Sequence, residues 1–325
     1  MKNLTDKMPA GPWRFGVKLL ISFGLLAFLL SRTDLQSIGT LFRSLRLPLL
    51  VLSLLLYIVA QVLSSFRWRC LLQAEQINLS MWKLILLYFE GMFFNLVLPT
   101  LIGGDVVRGY HVFRLTHRHE ASVASILVER LSGYVAMIMI ACIALIPAYA
   151  YLHDPAVVWL TAASAVALIG VIAGLLSDQL QALFFRLLNT AGLARFHETL
   201  HGLYEAVQRY WRHRRALLLA VGLSLILQSL GIIIFYLISR SLNFLVPLHY
   251  FFLFVPLITV VSMLPISVAG LGVREASSVY FFAKVGLDSA SAMSLSLLWF
   301  AVTALSSSLG GIVFLIGHSQ QDAHS

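Results

Sequence analysis

The chain has 325 residues, 59% of them hydrophobic and only 11% charged, with a mean hydropathy of +0.88. Soluble domains carry about a quarter charged residues, so this composition excludes an ordinary soluble enzyme or binding module and describes an integral membrane protein. The 23 Lys and Arg against 14 Asp and Glu would suit nucleic acid in a soluble chain, but in a membrane protein basic residues set topology and meet anionic lipid head groups, so no nucleic-acid partner is expected.

Continuous apolar runs predict six full spans: Phe15 to Leu30, Pro48 to Ser64, Ala121 to Ala150, Pro155 to Leu176, Ala216 to Ser239 and Ser289 to Gly317. Runs of this length read as helices, since barrel strands give short alternating segments. The first run follows Lys2, Lys7, Arg14 and Lys18, but "SRTDLQ" after Leu30 offers no small-residue cleavage site, so an uncleaved span is expected. Leu35 to Leu45, Leu180 to Leu188 and Phe196 to Val207 carry apolar residues at helical spacing and are predicted to lie flat in the head-group layer. Cys70 and Cys142 imply no disulfide framework.

Two half-hydrophobic stretches, Met81 to Arg118 and Leu248 to Lys284, do not fit as plain spans. A second crossing through "GGDVVRGYHVFRLTHRH" would carry three arginines and three histidines. A re-entrant helical hairpin avoids that, because irregular backbone is tolerated at membrane depth where protein or a watery cavity surrounds it. With a cytoplasmic N-terminus and two hairpins, most Lys and Arg fall inside, only Arg32, Arg43, Arg46, Arg240 and Lys284 fall outside, and Arg108, Arg130 and Arg274 lie at membrane depth. That bias obeys the positive-inside rule.

The two stretches resemble each other. "LPTLIGGDVVRGY" holds Pro99, Gly104 and Arg108, and "LPISVAGLGVRE" holds Pro265, Gly270 and Arg274 at the same spacing. Each follows an aromatic-rich apolar run and precedes a long helix that opens with acidic and small residues, "EASVAS" or "DSASAM". The expected fold is therefore an all-α membrane domain over residues 1–325, with about six spans and two re-entrant hairpins. Residues 48–150 form one repeat and 216–317 a second, inverted one, joined by 151–215, as in many secondary transporters.

Chemistry is expected at the hairpin tips. Proline ends the entering helix and glycine lets the chain reverse, which makes Pro99, Gly103, Pro265 and Gly272 hinge candidates. New helices beginning near Gly104 and Gly270 would present N–H groups, and Arg108 and Arg274 would add guanidinium groups to cradle a phosphate. Ionisable residues near the bilayer centre cost about 2.5–3.5 kcal/mol on insertion scales. Asp105, Glu129 and Glu275, with Glu90, are therefore either ion-pair partners of Arg108, Arg130 and Arg274 or proton carriers. Arg67 and Arg69 are assigned to the head-group level.

"HETLH", His197 to His201, matches the zinc signature H-E-x-x-H. Its helix lies between spans with the histidines on a solvated face, and Glu205 stands about 12 Å along the helix from His197 at 1.5 Å per residue, too far to complete one site. His111, His117 and His119, beside Arg114 and Arg118, are read as lipid or interfacial contacts. No metal site, cofactor or nucleotide loop is expected, and "SSSLGG", Ser306 to Gly311, is read as a close-packing helix face.

With "RWRCLL", "FNLVLPTLIGGDVVRGY", "SILVERLSGY" and "LPISVAGLGVRE" in that order, the chain resembles the lysylphosphatidylglycerol synthase transmembrane region family, the flippase-like membrane part of multiple peptide resistance factors. The resemblance implicates Asn95, Pro99, Gly103, Gly104, Asp105, Arg108, Glu129, Arg130, Pro265, Gly270, Gly272, Arg274 and Glu275. It implies movement of a phosphate-bearing lipid between leaflets of the bacterial inner membrane, with anionic lipids and lipid-synthesis enzymes as partners. Bifunctional members carry a soluble aminoacyl-transferase domain after the membrane part. Here only "HSQQDAHS" follows the last span, so a stand-alone, non-enzymatic member is expected; the alternative is a membrane enzyme or accessory protein of lipid synthesis that binds a lipid phosphate.

Overall fold

The computed structural model describes residues 34–98, 102–152, 154–177, 197–264, 266–268 and 270–322, together with residues 20, 22, 24–29, 31, 179, 182 and 186. The described chain is helical: α1 Leu35–Arg43, α2 Leu47–Ala74, α3 Met81–Val97, α4 Gly103–Thr116, α5 His119–Leu152, α6 Pro155–Leu176, α7 His197–Arg212, α8 Arg214–Ser241, α9 Leu248–Ser262, α10 Val273–Ala283 and α11 Ser289–Asp322. Helix starts follow local chemistry. Asp34 accepts from Gln36 N at 2.9 Å, Ser80 from Lys83 N at 3.3 Å, and Asp154 from Ala156 N at 2.8 Å. Each satisfies a first-turn N–H that would otherwise lack a partner.

Five helices are long and apolar enough to cross a membrane: Leu47–Ala74, His119–Tyr149, Pro155–Leu176, Arg214–Ser241 and Ser289–Ile312. They coincide with five of the six predicted spans, and half of the sixth, 15–30, lies outside the described residues. One boundary differs. The helix predicted to stop at Ser64 continues to Ala74, so Arg67 is buried inside the bundle rather than at the head-group level.

The short helices pair. α3 packs along α4, and the turn between them is tied by Gly104 N to Asn95 Oδ1 at 2.8 Å; Arg118 Nη1, just before α5, donates to the carbonyl of Glu75, just after α2. In α9 and α10, Phe254 packs on both Phe281 and Phe282. Packing between the halves is exchanged: α2 lies against α8, α3 against α11, and α9 against α5. On α11, a Cβ at Gly310 would run into the Phe89 carbonyl and one at Gly311 would meet the Phe93 ring at 2.8 Å, so the small-residue face does permit close packing.

The two amphipathic segments that fall on described residues set part of their apolar stripes against the protein. Ala206, Val207 and Tyr210 of α7 pack with Leu71, Ala124, Val128 and Ala220, and Ile38 of α1 packs with Ala290 and Met293. Phe42 of α1 and Trp211 of α7 stay exposed beside these contacts. Helical spacing alone does not tell a bilayer from a neighbouring helix. The stretch 180–188 is almost wholly outside the described residues. Cys70 and Cys142 are unbridged.

The loops sort into two ends. At one, Lys284 pairs with Asp154, Asn243 donates to the Ser44 carbonyl at 3.2 Å, and Arg46 N donates to the Ser241 carbonyl at 2.9 Å. At the other, Glu75 meets Arg118 and Arg209, and Tyr210 Oη donates to the Leu71 carbonyl at 3.0 Å.

Candidate functional site

The first hairpin delivers Asp105 and Arg108 into a charge cluster built from three helices. A Cβ on Gly91 would lie 2.8 Å from Arg108 Cγ; with glycine there, the arginine stem passes across α3. The guanidinium then lies over the Tyr88 ring at 4.3 Å and the Trp68 ring at 4.8 Å. Desolvated cation–π contacts of this kind contribute about 2 kcal/mol. Arg108 Nη2 donates to Asp105 Oδ1 at 2.6 Å, and Arg130 Nε donates to the other carboxylate oxygen.

Glu129 is the hub, only 1% exposed. Its Oε1 accepts from Arg67 Nη2 at 2.9 Å and from Tyr88 Oη at 3.1 Å. Its Oε2 faces Arg108 Nη1 at 3.2 Å as an ion pair without an aligned hydrogen bond. Arg67 Nη1 donates to Ser224 Oγ at 2.8 Å, which ties the cluster to α8. Burying charge is tolerable because each ion has an opposite partner. Three guanidinium groups against two carboxylates nonetheless leave one positive charge. These groups line a cavity of about 230 Å³, along with Gln61 and Asn95.

Arg130 belongs to two spaces. Besides the polar cavity it lines an apolar groove of about 640 Å³ bounded by α5, α6 and the tips of both hairpins, including Tyr134, Leu168, Ile102 and Met263. The arrangement offers a guanidinium at the seam between a polar chamber and an oily one. That is the pattern a lipid with an anionic head group requires.

The sequence-predicted residues Asn95, Gly104, Asp105, Arg108, Glu129 and Arg130 are therefore together. The second set is elsewhere: Arg274 and Glu275 do not line the cavity that holds Arg108. Instead Arg274 Nη2 donates to Glu275 Oε1 at 2.5 Å and its Nε to Ser296 Oγ at 3.3 Å, while Glu275 Oε2 accepts from Gly272 N at 2.7 Å. Gly270 and Gly272 take positive φ, +77° and +81°, and Gly272 lies against Ser22 and Leu25. The two arginines and the two helix N-termini therefore do not share one cavity in this structure. Side chains already occupy the tip N–H groups of Gly104 and Gly272, and the second guanidinium is held by its own neighbour. Gly103 is buried at the first turn of α4, whereas Pro99 and Pro265 lie outside the described residues.

Glu90 is apart from the cluster and meets His111 Nε2 at 3.1 Å within the hairpin. No group of three metal-capable side chains occurs among the described residues. His201 pairs with Glu205 at 3.3 Å, and the side chains of His197 and Glu198 lie outside them. Sequence reasoning missed Arg67, Trp68 and Tyr88. The available signal was the arginine in "RWRCLL", placed where a helix could carry it inward.

The family model described as lysylphosphatidylglycerol synthase TM region matches residues 16–311. A search of the curated proteins and a search of the solved structures each found no match.

Proposed function

The chain belongs to the lysylphosphatidylglycerol synthase transmembrane region family, and from that premise we propose that it is a lipid flippase of the bacterial cytoplasmic membrane, carrying a phosphate-bearing lipid between leaflets. The observation that carries this reading is Arg130, shared by the polar cavity and the apolar groove. A head group in the cavity would neutralise the surplus positive charge and offer an oxygen to Arg108 Nη1, a buried donor with no hydrogen-bond partner. The acyl or prenyl chain would lie in the groove. No covalent chemistry is proposed, because guanidinium groups engage both Asp105 and Glu129.

The exchanged packing of α3 on α11 and α9 on α5 supports the inverted-repeat organisation and, with it, re-entrant hairpins whose tips meet at the groove. The end holding Glu75, Arg118 and Arg209 would be cytoplasmic, with the N-terminus on that side.

The test is purified protein in liposomes that contain fluorescent anionic phospholipids and zwitterionic ones, with Arg130→Ala and Arg130→Lys beside the unmodified chain. Leaflet exchange of the anionic lipid should exceed that of empty vesicles and fall at least tenfold in Arg130→Ala. Exchange no faster than in empty vesicles across the lipid panel would overturn the proposal.

A further inference from the structure

The apolar groove ends at Leu175 on α6 and Val207 on α7. A separate pocket of about 460 Å³ begins at the very next residues, Leu176 and Gln208, and is completed by Glu205, Arg209, Trp211 and Arg212. Three spaces thus run in series: the polar cavity, the groove joined to it at Arg130, and this basic pocket at the end of the bundle that carries Glu75 and Arg118. The wall between groove and pocket is thin and firmly held. Tyr204 Oη donates to the Leu175 carbonyl at 3.0 Å, and Gln208 Nε2 donates to Tyr204 Oη at 2.8 Å.

The charges in the pocket are unequal in their freedom. Arg209 is held by buried Glu75 at 3.3 Å, and Glu205 by His201 at the same distance. Arg212 has no ion-pair partner among the described residues and is exposed, as are His213, Arg214 and Arg215 beyond it. Trp211, 39% exposed, stands beside it. An amphipathic aromatic ring next to free guanidinium groups at the end of a helical bundle is the signature of the head-group layer.

We infer that this pocket is a second head-group site, the loading site at which a phosphate-bearing lipid of the adjacent leaflet is first held. Arg212 meets the phosphate, Trp211 lies at the level of the glycerol or first isoprenoid carbons, and the chain enters the groove past Leu175 and Val207. The head group then moves along the groove from Arg212 to Arg130 while its chain stays in apolar surroundings. This inference rests on the flippase reading for its direction of travel but not for the site itself.

The test combines binding with transport. Full-length protein in nanodiscs is irradiated with phosphatidylglycerol that carries a photoreactive group either in the head group or mid-chain, and the adducts are mapped by mass spectrometry. Head-group probes should label the Gln208 to Arg212 segment and mid-chain probes the Leu175 and Val207 region, with Arg212→Glu cutting head-group labelling at least fivefold. Phosphatidylcholine probes should label the same segment several-fold less. In liposomes, Arg212→Glu should raise the lipid fraction that gives half-maximal exchange several-fold with the maximal rate kept, whereas Arg130→Ala lowers the maximal rate. Head-group labelling unchanged by Arg212→Glu, or equal for the two lipids, overturns the loading site. If the unmodified protein moves no lipid but the labelling pattern holds, the flippase reading fails and the site stands. Gln208→Ala, which leaves the backbone of α7 intact, should weaken labelling in the same direction and guards against a folding defect in the charge reversal.

Discussion

The carbonyl of Gly91 stands where a Cβ on Gly104 would be, so the two helices of the first hairpin, α3 and α4, touch backbone to backbone there. Gly104→Ala would force α3 and α4 apart, break the hydrogen bond to Asn95 and shift Asp105 and Arg108. Overpacking of this kind costs about 1–3 kcal/mol. Gly104→Ala should lower the melting temperature in detergent by several degrees, while Gly109→Ala, whose new methyl meets only the movable Ile126 Cδ1 at 3.2 Å, should change it far less. Equal melting temperatures for the two variants would show that the tip has slack.

Glu129 is the partner of both Arg67 and Arg108. Glu129→Gln leaves two buried guanidinium groups facing one carboxylate fewer, and breaking such a pair costs about 3–5 kcal/mol. Arg67→Met made alone should also destabilise. The double variant should recover part of the sum, giving a coupling above about 1 kcal/mol in a thermal or chemical unfolding cycle. Additive losses would mean that the two side chains do not interact.

Much of the site was legible in "GGDVVRGY" and "SILVERLSGY", because charges are so costly at membrane depth that each one had to be paired. What could not be read was who pairs with whom. Asp105 meets Arg108 by helical spacing, but its bond to Arg130 and the union of Arg67 with Glu129 depend on how α2, α4 and α5 cross. The likeness of the two proline–glycine–arginine stretches does not extend to their side-chain chemistry. It equates Arg274 with Arg108, yet Asp105 has Leu271 at its matching position and Glu275 has Gly109, so the second arginine turns to a different carboxylate. The five long helices were visible as apolar runs. The burial of α1 and α7 was not, since both bilayer and bundle reward the same stripe.

The separation of the two arginines makes a functional prediction. Arg274 is tied to Glu275 and Ser296 and lies outside the cavity lined by Arg108 and Arg130. Arg274→Ala should therefore leave the lipid fraction for half-maximal exchange close to that of the unmodified protein, though it would loosen the second tip and slow the maximal rate. A several-fold rise in that fraction would place Arg274 on the head group after all.

Sidedness follows from the two loop clusters. Single cysteines at Asp154 and Lys284 should react with an impermeant maleimide from one face of the membrane, and cysteines at Glu120 and Lys83 from the other. Labelling of all four from one face would overturn the proposed inverted topology.

Asp154 and Lys284 also make the fold pH-dependent at that end. The hydrogen bond from Lys284 holds the Asp154 carboxyl below its usual range, aided by Ala156 N. For Lys284 partial burial opposes the charge, but hydrogen bonds to Asp154 and Tyr280 outweigh it and the ammonium pKa is raised. A depressed carboxylate contributes stability above its unfolded pKa of about 3.9, and that contribution is lost as pH falls through the lower folded value. A raised ammonium contributes below its unfolded pKa of about 10.4 and loses that contribution as pH rises through the higher folded value. The pair is therefore fully effective across the neutral range. Lys284→Met should lower the melting temperature by about 1–2 °C at neutral pH, a small effect because both groups meet solvent. The difference should shrink towards zero as pH falls from the ordinary carboxylate range through the lowered value of folded Asp154, where the carboxyl is protonated with or without its partner. A difference of constant size from neutral to acid pH would mean that Lys284 acts through its packing on the Tyr280 ring, 4.1 Å away, and not through the carboxylate.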